Sequence, residues 1–273
     1  MATAYDTPAR QKNAPVEDGA PIVAVNELRK SFADHRVLNG ISLRVNRGET
    51  LAVLGRSGTG KSVLLRLIIG LERPDSGSVS IYGQDIAALA LDQMGEVRKK
   101  MGFLFQHAAL YDSLTVAENV AFPLEHHRRD MSRSERSDRV RQMLAEVGME
   151  SDSGKMPSDL SGGMQKRADL ACALIHNPQI IVLDEPFNGI DVSLQGFIWA
   201  FIKELSKEGR IIIISSHMLE DLEKNCTQFG LIEGGAYYDT IQIAKYLKNS
   251  KEKDLEAFLT KVFSRNITSI GEK

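Results

Sequence analysis

The sequence predicts an α/β domain carrying a helical insertion, and three observations lead to that reading. An apolar run, Thr50-Leu51-Ala52-Val53-Leu54, meets Gly55-Arg56-Ser57-Gly58-Thr59-Gly60-Lys61-Ser62 and then an amphipathic run over 63–69, which is strand, glycine loop and helix in that order. Two more apolar runs, Ile180-Ile181-Val182-Leu183 and Ile211-Ile212-Ile213-Ile214, have the unbroken character of strands covered on both faces of a parallel sheet. Between them and the glycine loop, from about 107 to 177, strand-like sequence gives way to helical spacing.

At 273 residues the chain can bury a sizeable core, as one large α/β domain or two small ones. Hydrophobic content of 42%, charged content of 26% and a net charge of -2 supply no basic face of the kind nucleic acid requires, so no nucleic-acid partner is expected. Cys172 and Cys226 are too far apart in sequence for a metal-site spacing, and two cysteines make no disulfide framework. Residues 1–20 lack an apolar core segment and read as a disordered leader, not a signal peptide. The longest apolar stretches, around 63–71 and 211–214, fall far short of a bilayer, so any crossing of a membrane falls to a partner.

In chain order, Ile22 to Leu28 begins a strand, and Val37-Leu38-Asn39-Gly40-Ile41-Ser42-Leu43-Arg44-Val45 alternates as a half-exposed strand does. Phe32, on the turn between them, either stacks on a nucleotide base or caps the edge of the core. The glycine loop fits G-x-x-x-x-G-K-[ST] at every fixed position, with Gly55, Gly60, Lys61 and Ser62 in the defined places. Backbone amides of Arg56, Ser57, Gly58 and Thr59, with the positive end of the following helix, would cradle a polyphosphate. Lys61 would reach the β- and γ-phosphates, and the Ser62 hydroxyl would ligate Mg²⁺.

Ser78 to Gly83 reads as a short alternating strand, and Phe103-Leu104-Phe105-Gln106 as an apolar strand ending on an amide. Gln106 can offer a carbonyl to a metal and an NH₂ to water, or can simply be a solvated strand end. The helical block begins near Leu114 with Ser113 as its candidate cap, and continues with a helix over 132–147. Glu125-His126-His127-Arg128-Arg129-Asp130 reads as a solvated loop, because two arginines make a poor cation site. The block closes on Leu160-Ser161-Gly162-Gly163, where Ser161 is placed to cap a helix running to His176 and to leave exposed amides at its head.

The strand over 180–184 ends on adjacent acids, Asp184 and Glu185, at the carboxyl end where α/β sheets meet ligands. Asp184 would hold Mg²⁺ through water opposite Ser62, and Glu185 would act as general base on the attacking water. His217, after the isoleucine run, can donate to the γ-phosphate and orient that water, or be a loop histidine. Phe229 to Gly235 is a hairpin signal, and 242–247 with 255–263 read as short helices.

Taken together, the phosphate loop at 55–62, Gln106, Leu160-Ser161-Gly162-Gly163, Ile180-Ile181-Val182-Leu183-Asp184-Glu185 and His217 stand in an order that resembles the ATP-binding-cassette (ABC) ATPases over about residues 22–240. The resemblance implies a phosphate-loop NTPase (RecA-like) core with an antiparallel β subdomain and an ABC-specific helical subdomain. The expected division is a leader at 1–20, a nucleotide-binding domain at 21–240 with its helical part at about 107–177, and a helical extension at 241–273. It also implies ATP and Mg²⁺ as cofactors, with Phe32 against the adenine, Val63 following the loop, and Ser62, Gln106 and Asp184 around the metal. Such domains work as head-to-tail pairs, so a second copy of this chain would offer Ser161, Gly162 and Gly163 to the first copy's nucleotide, with Asp191 in the loop between copies. Asn188-Gly189-Ile190-Asp191 departs from the usual Ser-Ala-Leu-Asp there at its first two positions.

Val63 in place of the commoner threonine, Leu104-Phe105-Gln106-His107-Ala108-Ala109-Leu110, Asn119-Val120-Ala121-Phe122-Pro123-Leu124, Met164 after the two glycines and Asp184-Glu185-Pro186-Phe187 look like the ATPases of bacterial maintenance-of-lipid-asymmetry (Mla) and Mce-associated transporters. Asp191-Val192 departs from the Asp-Pro frequent in them. This implies phospholipid movement between inner and outer membranes, with a transmembrane permease, an Mce-type lipid-binding protein and a place on the cytoplasmic face of the inner membrane. The competing reading is a cassette serving another cargo, a polar solute, metal or drug; a non-transport cassette fits less well, because such proteins carry two cassettes or a long coiled coil in one chain.

Overall fold

The structure, a computed structural model, describes residues 20–106, 108–128, 130–216 and 220–249. The leader expected at 1–20 lies almost wholly outside these residues, as do His217 and the helix expected at 255–263.

Strand β1 (Val23–Phe32) turns through Ala33 and Asp34 into β2 (His35–Val45), and the pair is antiparallel. Next come β3 (Thr50–Leu54) and, after the glycine loop, helix α1 (Lys61–Ile68). Strands β4 (Ser76–Ile81) and β5 (Gln84–Asp85) complete a four-stranded antiparallel sheet in the order β2-β1-β4-β5. Helix α2 (Leu91–Arg98), not anticipated from the residues, leads to β6 (Met101–Leu104). Phe105 and Gln106 lie beyond the end of β6, contrary to the strand expected through Gln106, because their carbonyls accept from the Lys166 ammonium and pairing with the next strand stops at Leu104.

The helical block holds α3 (Val116–His127), α4 (Arg133–Glu146) and α5 (Gly162–Leu174). Ser113 is not the cap of α3. Thr115 takes that place, because its hydroxyl accepts from the Glu118 amide while the Glu118 carboxylate accepts from the Thr115 amide. Ser132 caps α4 by the same reciprocal pair with Glu135, and Ser161 caps α5 through the Met164 amide.

Strand β7 (Ile180–Asp184) is followed by α6 (Val192–Lys207), a second helix without a sequence expectation. Its start signal is Asp191, whose carboxylate accepts from the Leu194 amide, but Val192, Gly196 and the aromatics that follow give the segment little intrinsic helix preference. Then come β8 (Ile211–Ser216), α7 (Glu220–Asn225), the hairpin β9 (Gln228–Glu233) and β10 (Ala236–Asp239), and α8 (Thr240–Asn249).

The second sheet runs β10-β9-β3-β8-β7-β6, parallel except for β10. Alternate residues of its central strands enter two cores: Ile181, Leu183, Ile212 and Ile214 pack with α3, α5 and α6, while Ile180, Val182, Ile211 and Ile213 pack with α1 and the antiparallel sheet. Truncating any of these isoleucines to alanine costs about 2–5 kcal/mol. The register sets the ends level: Leu54 lies beside Ser216, and Asp184 beside Ser215. Whatever follows β3, β7 and β8 therefore meets along one edge.

Candidate functional site

That edge gathers the phosphate loop and the two acids. Gly60 enters α1 with φ 105°, and a Cβ there would sit 2.8 Å from the side chains of Val37 and Leu38 on β2. Only glycine fits both the conformation and the close approach, which seats the loop against the antiparallel sheet. Thr59 closes the loop on itself, its hydroxyl donating to the Arg56 carbonyl at 3.0 Å. Among the described residues no side chain caps α1 and no acid stands in its first turn, so its orphan amides and positive dipole end suit an anion.

Lys61 is buried and folded under the loop. Its ammonium donates to the carbonyls of Gly55 at 2.7 Å and Arg56 at 3.0 Å, and pairs with Glu185 Oε1 at 3.0 Å. Ser62 Oγ donates to Asp184 Oδ1 at 3.0 Å. Ser215 Oγ donates to the same carboxylate oxygen at 2.6 Å and accepts from the Glu185 amide at 2.8 Å. Ser215 thus fastens both acids to β8, and sequence reasoning missed it; the available signal was a hydroxyl pair ending a run of four isoleucines. Glu185 has φ 47°, in the left-handed region that a non-glycine residue enters at a cost of order 1–3 kcal/mol. The Ser215 contact and the Lys61 ion pair hold it there.

The donor set fits Mg²⁺. A hydroxyl and a carboxylate are hard oxygen ligands, and their 3.0 Å separation is close to the roughly 2.9 Å between neighbouring ligands of an octahedral ion bonded at about 2.0–2.1 Å. Among the described residues no group of three or more His, Cys, Asp and Glu side chains could hold a metal alone, so phosphate and water would supply the remaining ligands.

Other expected residues stand around this centre. Phe32, at the end of β1, is 44% exposed with the Lys30 ammonium 5.2 Å from its ring centroid. Ser57 and Gly58 are exposed on the loop, and Val63 packs at the border of the core beneath it. Gln106 follows β6 with its carbonyl held by Lys166. Ser161 and Gly162 are exposed at the head of α5, and a Cβ on Gly163 would touch Leu194 of α6 at 3.4 Å. The Ser161 hydroxyl is taken up by the Met164 amide of its own helix. Asp191 caps α6.

A phosphate loop between β3 and α1, with acids at the end of a neighbouring parallel strand, defines a phosphate-loop nucleotide-binding domain. The family follows from comparison with known proteins. Residues 38–188, more than half of the 273, match the ABC transporter family model, and the chain belongs to that family. A solved ATP-binding subunit of an ABC transporter superposes with a TM-score of 0.77 at 25% identity, covering 89% of this chain and 99% of that one. The dimeric structure of MJ0796, a bacterial ABC transporter cassette, gives 0.75 at 29% identity, covering 80% and 98%.

Among relatives by sequence, the methionine import ATP-binding protein MetN of Brucella abortus (strain 2308) is 33% identical over 246 residues, 90% of this chain and 66% of its own length. The probable ribonucleotide transport ATP-binding protein mkl of Mycobacterium tuberculosis (strain ATCC 25618 / H37Rv) is 40% identical over 217 residues, 78% of this chain and 60% of its own length. The chain therefore spans 66% and 60% of the length of these two relatives.

Proposed function

We propose that this chain is the ATP-binding and ATP-hydrolysing subunit of a transporter, acting as a pair of identical copies that drive a transmembrane permease. The observation that carries the proposal is the meeting of Lys61, Ser62, Asp184 and Glu185 on one edge of the sheet, within 3.0 Å of one another in pairs. Loop amides and Lys61 bind the β- and γ-phosphates, while Phe32 stacks on the adenine. Ser62, Gln106 and Asp184 hold Mg²⁺, which when bound offsets charge on the phosphate oxygens. Glu185 accepts the proton of the attacking water, and His217 steadies that water and the γ-phosphate. Ser161 and Gly162, exposed at a helix head, with the half-buried Gly163 beside them, meet the second copy's nucleotide, and Asp191 lies in the loop between copies. The dimeric form of the similar cassette supports this pairing.

Among the described residues no helix is long and apolar enough to cross a membrane. We place the chain at the cytoplasmic face of the inner membrane, held by its permease, on the strength of the motif resemblance. For cargo we propose a phospholipid handed to an Mce-type partner, on the strength of Val63, Met164 and the run over 104–110. A polar cargo is the second reading, favoured by the match over 246 residues to a methionine importer's ATP-binding protein. Purifying the chain with its permease from membranes and identifying bound lipid decides between them. Co-purified phospholipid and an Mce-type protein are expected; a solute-binding partner loaded with a small polar molecule would replace the lipid reading with the second. For the enzymatic claim, release of phosphate from ATP by the purified chain is expected, and its lack in the complete complex would sink it.

A further inference from the structure

Lys166 lies in α5, five residues after the Ser161 that caps the helix, yet its ammonium reaches into another part of the fold. It donates to the carbonyls of Phe105 at 2.9 Å and Gln106 at 3.1 Å. At 5% exposure such a cation is tolerated only where its donors find partners. Asp169, 4% exposed, follows on the same face of the helix. Burial pushes its carboxyl up to about 6, while Lys166 and a hydrogen bond from the Ala109 amide favour its charged form. Burial in turn pushes Lys166 down, and the carboxylates of Asp169 and Asp184 oppose that. The cation therefore takes the carbonyls of Phe105 and Gln106, and the anion faces the Ala109 amide.

Backbone groups leaving a strand need partners, but neutral ones would serve. Burying a charge adds little stability over well-packed apolar residues, and its best-attested use is to select one geometry. The remainder of this helix face, Ala168, Leu170, Ala171 and Leu174, is locked in the core, so α5 moves as a unit with Ser161 at its tip. We infer that Lys166, assisted by Asp169, is a positioning residue that fastens the Gln106 segment to α5, so that a nucleotide met by Gln106 also sets the Ser161–Gly163 edge offered to the second copy. The inference rests on the reading of the chain as a paired ATP-hydrolysing domain.

The test compares the full-length parent, Lys166→Met and Lys166→Arg in ATP hydrolysis across ATP concentrations and in ADP binding. Lys166→Met is expected to keep ADP affinity and KM within about threefold while kcat falls by more than about tenfold, and Lys166→Arg, which keeps the donors, to recover most of the loss. A role confined to packing would lower the melting temperature and leave kcat per folded molecule at the parent value, which overturns the inference. So does a fall in ADP affinity that matches the fall in kcat. Should Lys166→Met fail to fold, Asp169→Asn exchanges a single atom and reads the same split, with a severalfold lower kcat expected and the parent kcat contradicting it. A parent that never hydrolyses ATP defeats the ATPase proposal itself, whereas an active parent with an equally active Lys166→Met defeats only this link.

Discussion

Glu185→Gln is the most informative single change at the proposed catalytic edge, because the structure gives Glu185 two opposing effects. Its carboxylate is the proposed base, yet it also occupies the Lys61 ammonium at 3.0 Å, the group proposed to hold the phosphates. At that distance the Coulomb attraction is about 5–6 kcal/mol for an effective dielectric constant near 20, before desolvation is counted. Net values for hydrogen bonds to charged groups run about 1.5–3 kcal/mol. If Lys61 exchanges Glu185 for phosphate on binding, removing the carboxylate relieves that competition and tightens ADP binding by about 10- to 150-fold. ADP is the proper probe, since it lacks the γ-phosphate and separates this effect from the trapping of unhydrolysed ATP. Hydrolysis should fall at the same time by about 10²–10⁴. Calorimetric titration of parent and variant with ADP, beside steady-state ATP turnover, reads both quantities. Unchanged or weaker ADP binding would refute the exchange of partners by Lys61, and turnover at the parent rate would remove Glu185 as the base.

Three further changes probe neighbouring parts. Ser215→Ala strips a donor from Asp184 and leaves the Glu185 amide without its acceptor, so denaturant melts should show a loss of about 1–3 kcal/mol, with kcat lowered and ADP affinity retained; parental stability and turnover would contradict the fastening role. Ser161→Arg in one copy of a mixed pair should abolish hydrolysis at the other copy's phosphate loop, checked with pairs in which only one loop keeps Lys61; full activity there would argue against a shared site. Two buried groups should pull stability in opposite directions with pH. His176, whose Nε2 lies 3.0 Å from the Met101 carbonyl and whose ring faces His127 at 5.2 Å, is pushed down to about 4 by burial. The unfolded chain then binds the extra proton, so stability is lost as pH falls from about 6.5 to 4, by about 3 kcal/mol. Asp169, pushed up to about 6, binds its proton more readily in the folded chain, so stability is lost as pH rises from about 4 to 6, by a similar amount. Relative to the parent, His176→Gln should therefore gain stability at pH 4 and Asp169→Asn should gain it at pH 6.5, both read from urea melts; parallel curves for all three proteins would disprove the assignment.

The parts legible in the sequence were those whose signals are local and unambiguous. A glycine loop between an apolar run and an amphipathic run has one sensible reading, and the isoleucine run of β8 could hardly be other than a buried strand. Ser161 declared its helix because a hydroxyl at the cap position has a fixed partner three residues on, and the helix from 132 showed in the helical spacing of Val140, Met143, Leu144 and Val147. Ser113 misled because it competes with Thr115 two residues later, and only Thr115 has a glutamate at the distance that completes the reciprocal bond. Helix α6 was hidden by β-branched, aromatic and glycine residues, whose helical state is decided by the core that Leu194, Ile198, Trp199 and Ile202 enter. Ser215 and Lys166 could not be read at all from spacing. Their partners lie 31 and 61 residues away in sequence, and only the pairing of β7 with β8 and the packing of α5 beside β6 bring them together.

The central claim is that ATP binds between two copies of this chain. Light scattering of the Glu185→Gln chain with and without ATP and Mg²⁺ measures it directly. The mass should double when ATP is added, and remain that of one copy when Ser161→Arg is introduced as well. A single-copy mass at saturating ATP, with the permease absent and again with it present, would contradict the shared site and every role assigned across it.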